Sequence, residues 1–175
     1  KRIADGIAFL EKSGGRTPLG EALAIAEALV ERVRKLKGVK QVELAGSLRR
    51  GAETIGDVDI LCEAKDGEAV IKEFVGFPEV KSILASGETK GSVTVAIDDQ
   101  RELQVDLRAV PAESFGAAWQ YFTGSKEHNV RVREMAVKKG WKLNEYGLFD
   151  GEKMLAGKTE ETIYRKLGFV CPPPE

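Results

Sequence analysis

Asp57 and Asp59 stand two residues apart in Asp57-Val58-Asp59-Ile60-Leu61, and a third carboxylate, Asp106, follows in Leu103-Gln104-Val105-Asp106-Leu107. On an extended strand, residues two apart project from the same face, so Asp57 and Asp59 point the same way. Carboxylate oxygens are the hard donors that magnesium prefers, with phosphates and waters completing its shell. Two such groups on one strand can bridge a pair of ions roughly 3.5–4 Å apart, the spacing used for in-line phosphoryl chemistry. An Asp-x-Asp alone is a weak signal, because most such pairs are solvated surface residues. This one lies in an apolar run, where a solvated pair is less comfortable. If the two strands pair, Asp106 brings a third carboxylate to the same place.

Ahead of the pair, Gly46-Ser47-Leu48-Arg49-Arg50-Gly51 reads as a flexible turn. It offers backbone N–H groups, a hydroxyl and guanidinium forks, which are donors suited to a triphosphate. It is not a Walker motif, since Gly-x-x-x-x-Gly-Lys-[Ser/Thr] is absent. Plainer readings exist for each residue taken singly. Ser47 is then a turn residue, Trp119, Tyr121 and Phe122 are helix core, and Arg133 belongs to a solvated face. His128, the one histidine, reads as a surface residue or a DNA contact and not as a general base.

These side chains need strands held side by side. Thr17-Pro18 is expected to open a helix, with Thr17 as N-cap and Pro18 in the first helical position. Its apolar positions Leu19, Leu23, Ala26, Leu29, Val30, Val33 and Leu36 recur at helical spacing until Gly38. Ile3 to Leu10 reads as the end of an earlier helix, stopped by Gly14-Gly15. From Val39 the period becomes two. Strands are expected through Val42 and Leu44, from Asp57 to Glu63, from Ser92 to Ile97 and from Glu102 to Val110, the last two joined by Asp98-Asp99-Gln100. Val58, Ile60 and Cys62 face one way, opposite Asp57, Asp59 and Leu61; Leu103, Val105 and Leu107 lie opposite Gln104, Asp106 and Arg108.

A short helix is expected from Glu68 to Val75. Ala112 to Phe122 and Lys126 to Lys139 read as helices on either side of Gly124-Ser125. Leu148 to Leu155 reads as a hairpin with an Asp150-Gly151 turn. Thr159 is expected to cap a last helix ending at Gly168. The fold class is α+β, a mostly antiparallel central sheet with N-terminal helices and a C-terminal lobe of helices and a hairpin.

At 175 residues the chain can bury a core as one domain or two small lobes. Hydrophobic content of 42% and charged content of 31% are ordinary for a globular protein. No stretch approaches the roughly 18 apolar residues of a membrane span, so no membrane partner is expected. Lys1-Arg2 has no long apolar region behind it, so no secretory signal is expected there, and the missing initiator Met suggests a start inside a longer parent. Cys62 and Cys171 form neither a disulfide framework nor a zinc motif, so a reducing cytoplasm is the expected compartment. The net charge of -1 conceals basic clusters from Arg32 to Arg50 and from Lys126 to Lys142, with the carboxylates between them. That arrangement suits a metal site handling phosphates, although either cluster alone reads equally well as a solvated helix face.

The run Gly46-Ser47-Leu48-Arg49-Arg50-Gly51-Ala52-Glu53-Thr54-Ile55-Gly56-Asp57-Val58-Asp59-Ile60-Leu61 resembles the signature of the DNA polymerase beta superfamily of nucleotidyltransferases. Tyr121-Phe122-Thr123-Gly124-Ser125, followed by Asn129 and Arg133, narrows the resemblance to the family X DNA polymerases, in a bacterial or archaeal-type catalytic core. The resemblance implies that residues 1–37 are the tail of a DNA-binding region, 38–110 the palm, and 111–175 a lobe for the nascent base pair. It implies two magnesium ions, with manganese able to substitute. Asp57 and Asp59 would hold both ions, and Asp106 would hold only the catalytic one and accept the primer 3′-hydroxyl proton.

By the same resemblance, Ser47, Arg50 and the backbone at Gly56 would hold the β- and γ-phosphates, with Gly46 and Gly124 in the same nucleotide pocket. Tyr121 and Phe122 would pack on the incoming sugar. Asn129 and Arg133 would read minor-groove edges, with Lys126 and Arg108 beside the DNA. Arg108 is similar to the arginine that pairs with a catalytic aspartate in the open site, and Glu145 and Tyr146 to a pair that responds to closure. Relatives usually begin with a small helical domain, expected here to be absent or represented only by residues 1–15, and many bacterial members continue into a phosphoesterase domain, which is not expected in a chain ending at Glu175. Lys126 and Val130 also depart from the vertebrate repair enzyme.

The function so implied is template-directed transfer of a nucleoside monophosphate from a dNTP to a primer 3′-hydroxyl. The substrate would be primer–template or gapped duplex DNA, in short-gap repair, and the enzyme a monomer. Two alternatives stand beside it: a nucleotidyltransferase with a non-DNA acceptor, and a non-catalytic DNA-binding module.

Overall fold

The alternating residues from Val39 to Val110 form one five-stranded sheet in the structure, a computed structural model that describes residues 15–174. The expected helix at Ile3–Leu10 lies outside the described residues. In chain order the first lobe comprises β1 (Thr17–Pro18), α1 (Leu19–Arg34), β2 (Val39–Leu44), α2 (Gly46–Arg49), β3 (Thr54–Ile55) and β4 (Asp57–Ala64). It continues with α3 (Gly67–Val75), β5 (Val80–Ser86), β6 (Lys90–Ala96) and β7 (Glu102–Val110). The sheet order is β2-β4-β7-β6-β5. All its pairings are antiparallel except β4 with β7, and this parallel pair is the one that carries the three aspartates.

One face of the sheet is a dry core. Val58, Ile60, Cys62, Val93, Val95, Leu103, Val105 and Leu107 are buried there against α1 and α3. Helix α1 contributes Ala22, Ala26, Leu29, Val30 and Val33, whose spacing makes one apolar stripe. Helix α3 contributes Val70, Ile71 and Phe74, and Asp66 caps it by accepting from the Ala69 N–H at 3.0 Å. Burial pushes the Cys62 thiol up to about 12, which suits an inert core residue.

Three details of the first lobe differ from the sequence reading. Thr17 does not cap α1: it is buried and pairs with Ile55, while Pro18 pairs with Thr54 and precedes the helix in an extended conformation. This small ladder ties the start of α1 to the segment leading into β4. The Gly46–Arg49 segment is a short helix and not a flexible turn. Strand β5 has no counterpart in the sequence reading, because it is an edge strand whose residues are nearly all exposed, so no buried face stamps a period on it.

The second lobe starts with a turn of 3₁₀ helix at Ala112–Ser114, then α4 (Phe115–Thr123), α5 (Lys126–Lys138), β8 (Lys142–Asn144), β9 (Gly147–Asp150), β10 (Lys153–Ala156) and α6 (Glu160–Leu167). β8, also unread in the sequence, completes a three-stranded sheet in the order β10-β9-β8. Its core gathers Ala117, Val132, Ala136, Leu143, Leu148 and Ile163. Thr159 caps α6 by accepting from the Thr162 N–H at 3.3 Å, and Gly168 ends it with φ +97°. A third cluster, Leu61 with Phe115 and Ala118, joins the lobes on the sheet's other face. Among the described residues no helix is long and apolar enough to cross a membrane.

Candidate active site

The register of the parallel pair sets Asp59 directly beside Asp106, and Asp57 beside Gln104. All four project from the sheet face opposite the dry core, since Val58, Ile60, Val105 and Leu107 fill the alternate positions. On the next strand Ser92 is the register partner of Asp106. Asp57 is exposed at the strand's start, Asp59 is partly buried, and Asp106 is buried.

Asp106 is the most heavily partnered of the three. Its Oδ1 accepts from Gln104 Nε2 at 3.0 Å, and its Oδ2 pairs with the Lys90 ammonium at 2.5 Å. Burial works to raise this carboxyl, but Lys90, then Gln104 and Ser92, outweigh it and hold it below the usual carboxylate range. Asp59 lies at the other extreme. Burial first, then the negative charges of Asp57 and Asp106, push it up to about 7 against the lowering influence of Arg108 and Lys90.

Helix α2 springs from the end of β2 beside Asp59, and the Ala45 N–H donates to the Asp59 carbonyl at 2.9 Å. Gly46 has φ +60°, and a Cβ added there would lie 2.3 Å from Asp59 Oδ2. Only glycine leaves that space open and tolerates the left-handed backbone. Three hard oxygen donors, an open cradle against one of them, and a carboxyl raised by burial and then by its neighbours' charge fit divalent cations. As the side chains stand, among the described residues no three acidic, cysteine or histidine groups are drawn tightly enough together to form a closed metal site. Asp106 is turned to Lys90 instead.

The other residues singled out in the sequence have these settings. Arg50 donates to the Thr123 carbonyl at 2.5 Å, and the position of a Cβ on Gly124 would be 3.2 Å from the same guanidinium. Ser47 is partly buried on α2, and Gly56 is exposed just before Asp57. Tyr121 and Phe122 meet edge to face at 5.1 Å. The Asn129 side chain is engaged internally, donating to the Tyr121 carbonyl and accepting from Gln120 Nε2, both at 2.7 Å. Lys126 and Arg133 are exposed on α5, and Arg133 Nε donates to the Asn129 carbonyl at 3.3 Å.

Two expectations meet a different geometry. Arg108 stacks its guanidinium over the Phe122 ring at 4.0 Å, with a buried Nε that has no hydrogen-bond partner, and it makes no ion pair with an aspartate among the described residues. The cation that pairs with Asp106 is Lys90. His128 is partly buried and not free on the surface: its Nε2 lies 2.6 Å from the Tyr164 hydroxyl on α6.

Lys90 and Arg16 were missed, and Arg49 was read only as a phosphate donor. Lys90 falls just before the sequence-read strand at Ser92, where an isolated lysine looks solvated. Arg49 sends its fork to Glu160 at 2.7 and 2.8 Å, donates to Thr123 Oγ1 at 2.7 Å, and stacks over Trp119 at 3.6 Å. Arg16 grips Thr54 through its hydroxyl at 2.7 Å and its carbonyl at 2.5 Å, next to Gly56. The paired arginines at 49 and 50 were a legible signal; their division of labour was not.

Comparison with known proteins bears on the whole arrangement. A family model described as DNA polymerase beta palm matches residues 16–111, and one described as DNA polymerase beta thumb matches residues 118–175. The chain is 33% identical over 177 residues to the DNA polymerase/3′-5′ exonuclease PolX of Bacillus subtilis, covering 100% of this chain and 31% of that protein. It is 31% identical over 137 residues to Repair DNA polymerase X of African swine fever virus, covering 75% of this chain and 78% of the viral protein.

Proposed function

The chain belongs to the family X DNA polymerases, and on that premise we propose that it transfers a nucleoside monophosphate from a dNTP to the 3′-hydroxyl of a primer, directed by a template strand. The observation that carries the reading is the β4–β7 register, which puts Asp59 beside Asp106 with Asp57 on the same face. Two magnesium ions, when bound, supply charge neutralisation and an activated primer hydroxyl for in-line displacement of pyrophosphate. Manganese can take their place. Asp57 and Asp59 would hold both ions and Asp106 only the catalytic one, and the Asp106 carboxylate would accept the proton of the primer 3′-hydroxyl.

The rest of the chain positions. Ser47, Arg50 and the backbone at Gly46 and Gly56 receive the phosphates, so Arg50 exchanges the Thr123 carbonyl for a phosphate oxygen on binding. Arg is suited to that exchange because its planar fork matches phosphate geometry. Tyr121, Phe122 and Gly124 flank the incoming sugar, while Asn129, Arg133, Lys126 and Arg108 face the DNA. Residues 38–110 form the catalytic lobe and 111–175 the lobe that closes on the nascent pair. We place this chemistry in short-gap repair in the cytoplasm, by a monomer. A module that only bound DNA would gain nothing from three carboxylates gathered near phosphates.

The test is single-nucleotide extension of a gapped primer–template with magnesium and each dNTP in turn. Addition of the complementary nucleotide alone, abolished in Asp106→Ala while duplex binding is nearly kept, is the expected result. Extension that ignores the template, or survives Asp106→Ala, refutes the proposal.

A further inference from the structure

Lys90 opens β6, where the register sets it opposite Arg108 and two residues before Ser92, the partner of Asp106. It therefore shares the polar face of the sheet with the three aspartates. Its ion pair with Asp106 is the only one that any of the three makes among the described residues. The two partners are unequally exposed: the Asp106 side chain is 7% accessible and the Lys90 side chain 36%. Gln104 and Ser92 hold the carboxylate in place, whereas the lysine reaches it on a flexible stem with a route to solvent.

An ammonium and a divalent ion compete for the same oxygen. Both draw on the lone pairs of Asp106 Oδ2, and two cations brought within a few ångströms of each other repel in a partly desolvated site. Resting on the metal reading of the triad above, we propose that Lys90 is a positioning residue for Asp106: a resident counter-ion that keeps the carboxylate aimed while no metal is bound, and yields Oδ2 when the catalytic ion enters. Lys90 thereby lowers the affinity of that ion for the free enzyme. The flexible stem lets the ammonium swing off without moving the strand.

The experiment is Mn²⁺ titration of the DNA-free chain, followed by the paramagnetic resonance of free Mn²⁺, for the wild type, Lys90→Met and Lys90→Arg. Lys90→Met is expected to bind Mn²⁺ roughly tenfold more tightly, the consequence of removing one nearby like charge, with Lys90→Arg close to wild type. In EDTA, Lys90→Met should melt below wild type, and saturating Mn²⁺ should remove the difference. Lys90→Gln carries the same test if the methionine variant does not fold. Equal or weaker Mn²⁺ affinity in the variant, or a melting deficit that persists with metal, overturns the proposal for Lys90 alone. No Mn²⁺ binding by any of the proteins overturns the metal reading and this proposal with it.

Discussion

Asp59 carries the largest electrostatic burden on the catalytic face. Burial and the charges of Asp57 and Asp106 raise its carboxyl to about 7 from 3.8. Between those values the folded chain keeps a proton that the unfolded chain gives up. Its contribution to stability is therefore fullest below about 3.8 and is lost as pH rises through about 7. In EDTA, the melting temperature of the wild type relative to Asp59→Asn should fall across that window. Magnesium, which binds only the ionised carboxylate, should offset the loss at the upper end. A difference independent of pH would contradict this account of Asp59. At this scale the three aspartates were legible, because paired carboxylates inside an apolar strand conflict with their surroundings. Lys90 was not, since a lysine at a strand's edge is ordinary until the fold supplies Asp106 as its partner.

Between elements, the fork of Arg49 on α2 grips Glu160 at the start of α6. Both side chains are largely shielded, at 16% and 8% accessibility, and Trp119 covers the guanidinium. Removing one partner of such a pair leaves the other charge buried alone, which costs about 3–5 kcal/mol. Arg49→Ala should lose stability on that order in urea unfolding, and Arg49→Lys should recover only part, because an ammonium cannot make the two-pronged contact. A loss within the range of a surface substitution, about 0.5 kcal/mol, would show that the pair does not join the lobes.

The sequence announced β4, β6 and β7 because apolar residues alternate with polar ones along much of each, so the apolar period of two survives. It was silent on β5, which is exposed along almost its whole length, and on β8, which is three residues long. The helix at Gly46–Arg49 is barely one turn, too short for a 3.6-residue period to be read.

For the whole molecule, the two lobes meet where the chemistry is proposed to occur. The first brings a sheet whose polar face carries Asp57, Asp59 and Asp106; the second brings Phe122 over Arg108, and Thr123 against both Arg49 and Arg50. Arg50 thus links the segment proposed to hold phosphate with the junction of α4 and α5, so that a triphosphate drawing Arg50 away would be felt in the second lobe. The chain spans 31% of the Bacillus subtilis relative, so what the remaining length adds there is a separate question from what this core does. The central claim for the core is that three aspartates hold two ions in unequal shares. The direct measurement is the number of Mn²⁺ ions bound per chain in the presence of a primer–template ending in a dideoxynucleotide and a complementary non-hydrolysable dNTP. Two ions in the wild type and one in Asp106→Ala would be the expected result; the same number in both proteins, or none in the wild type, would contradict it.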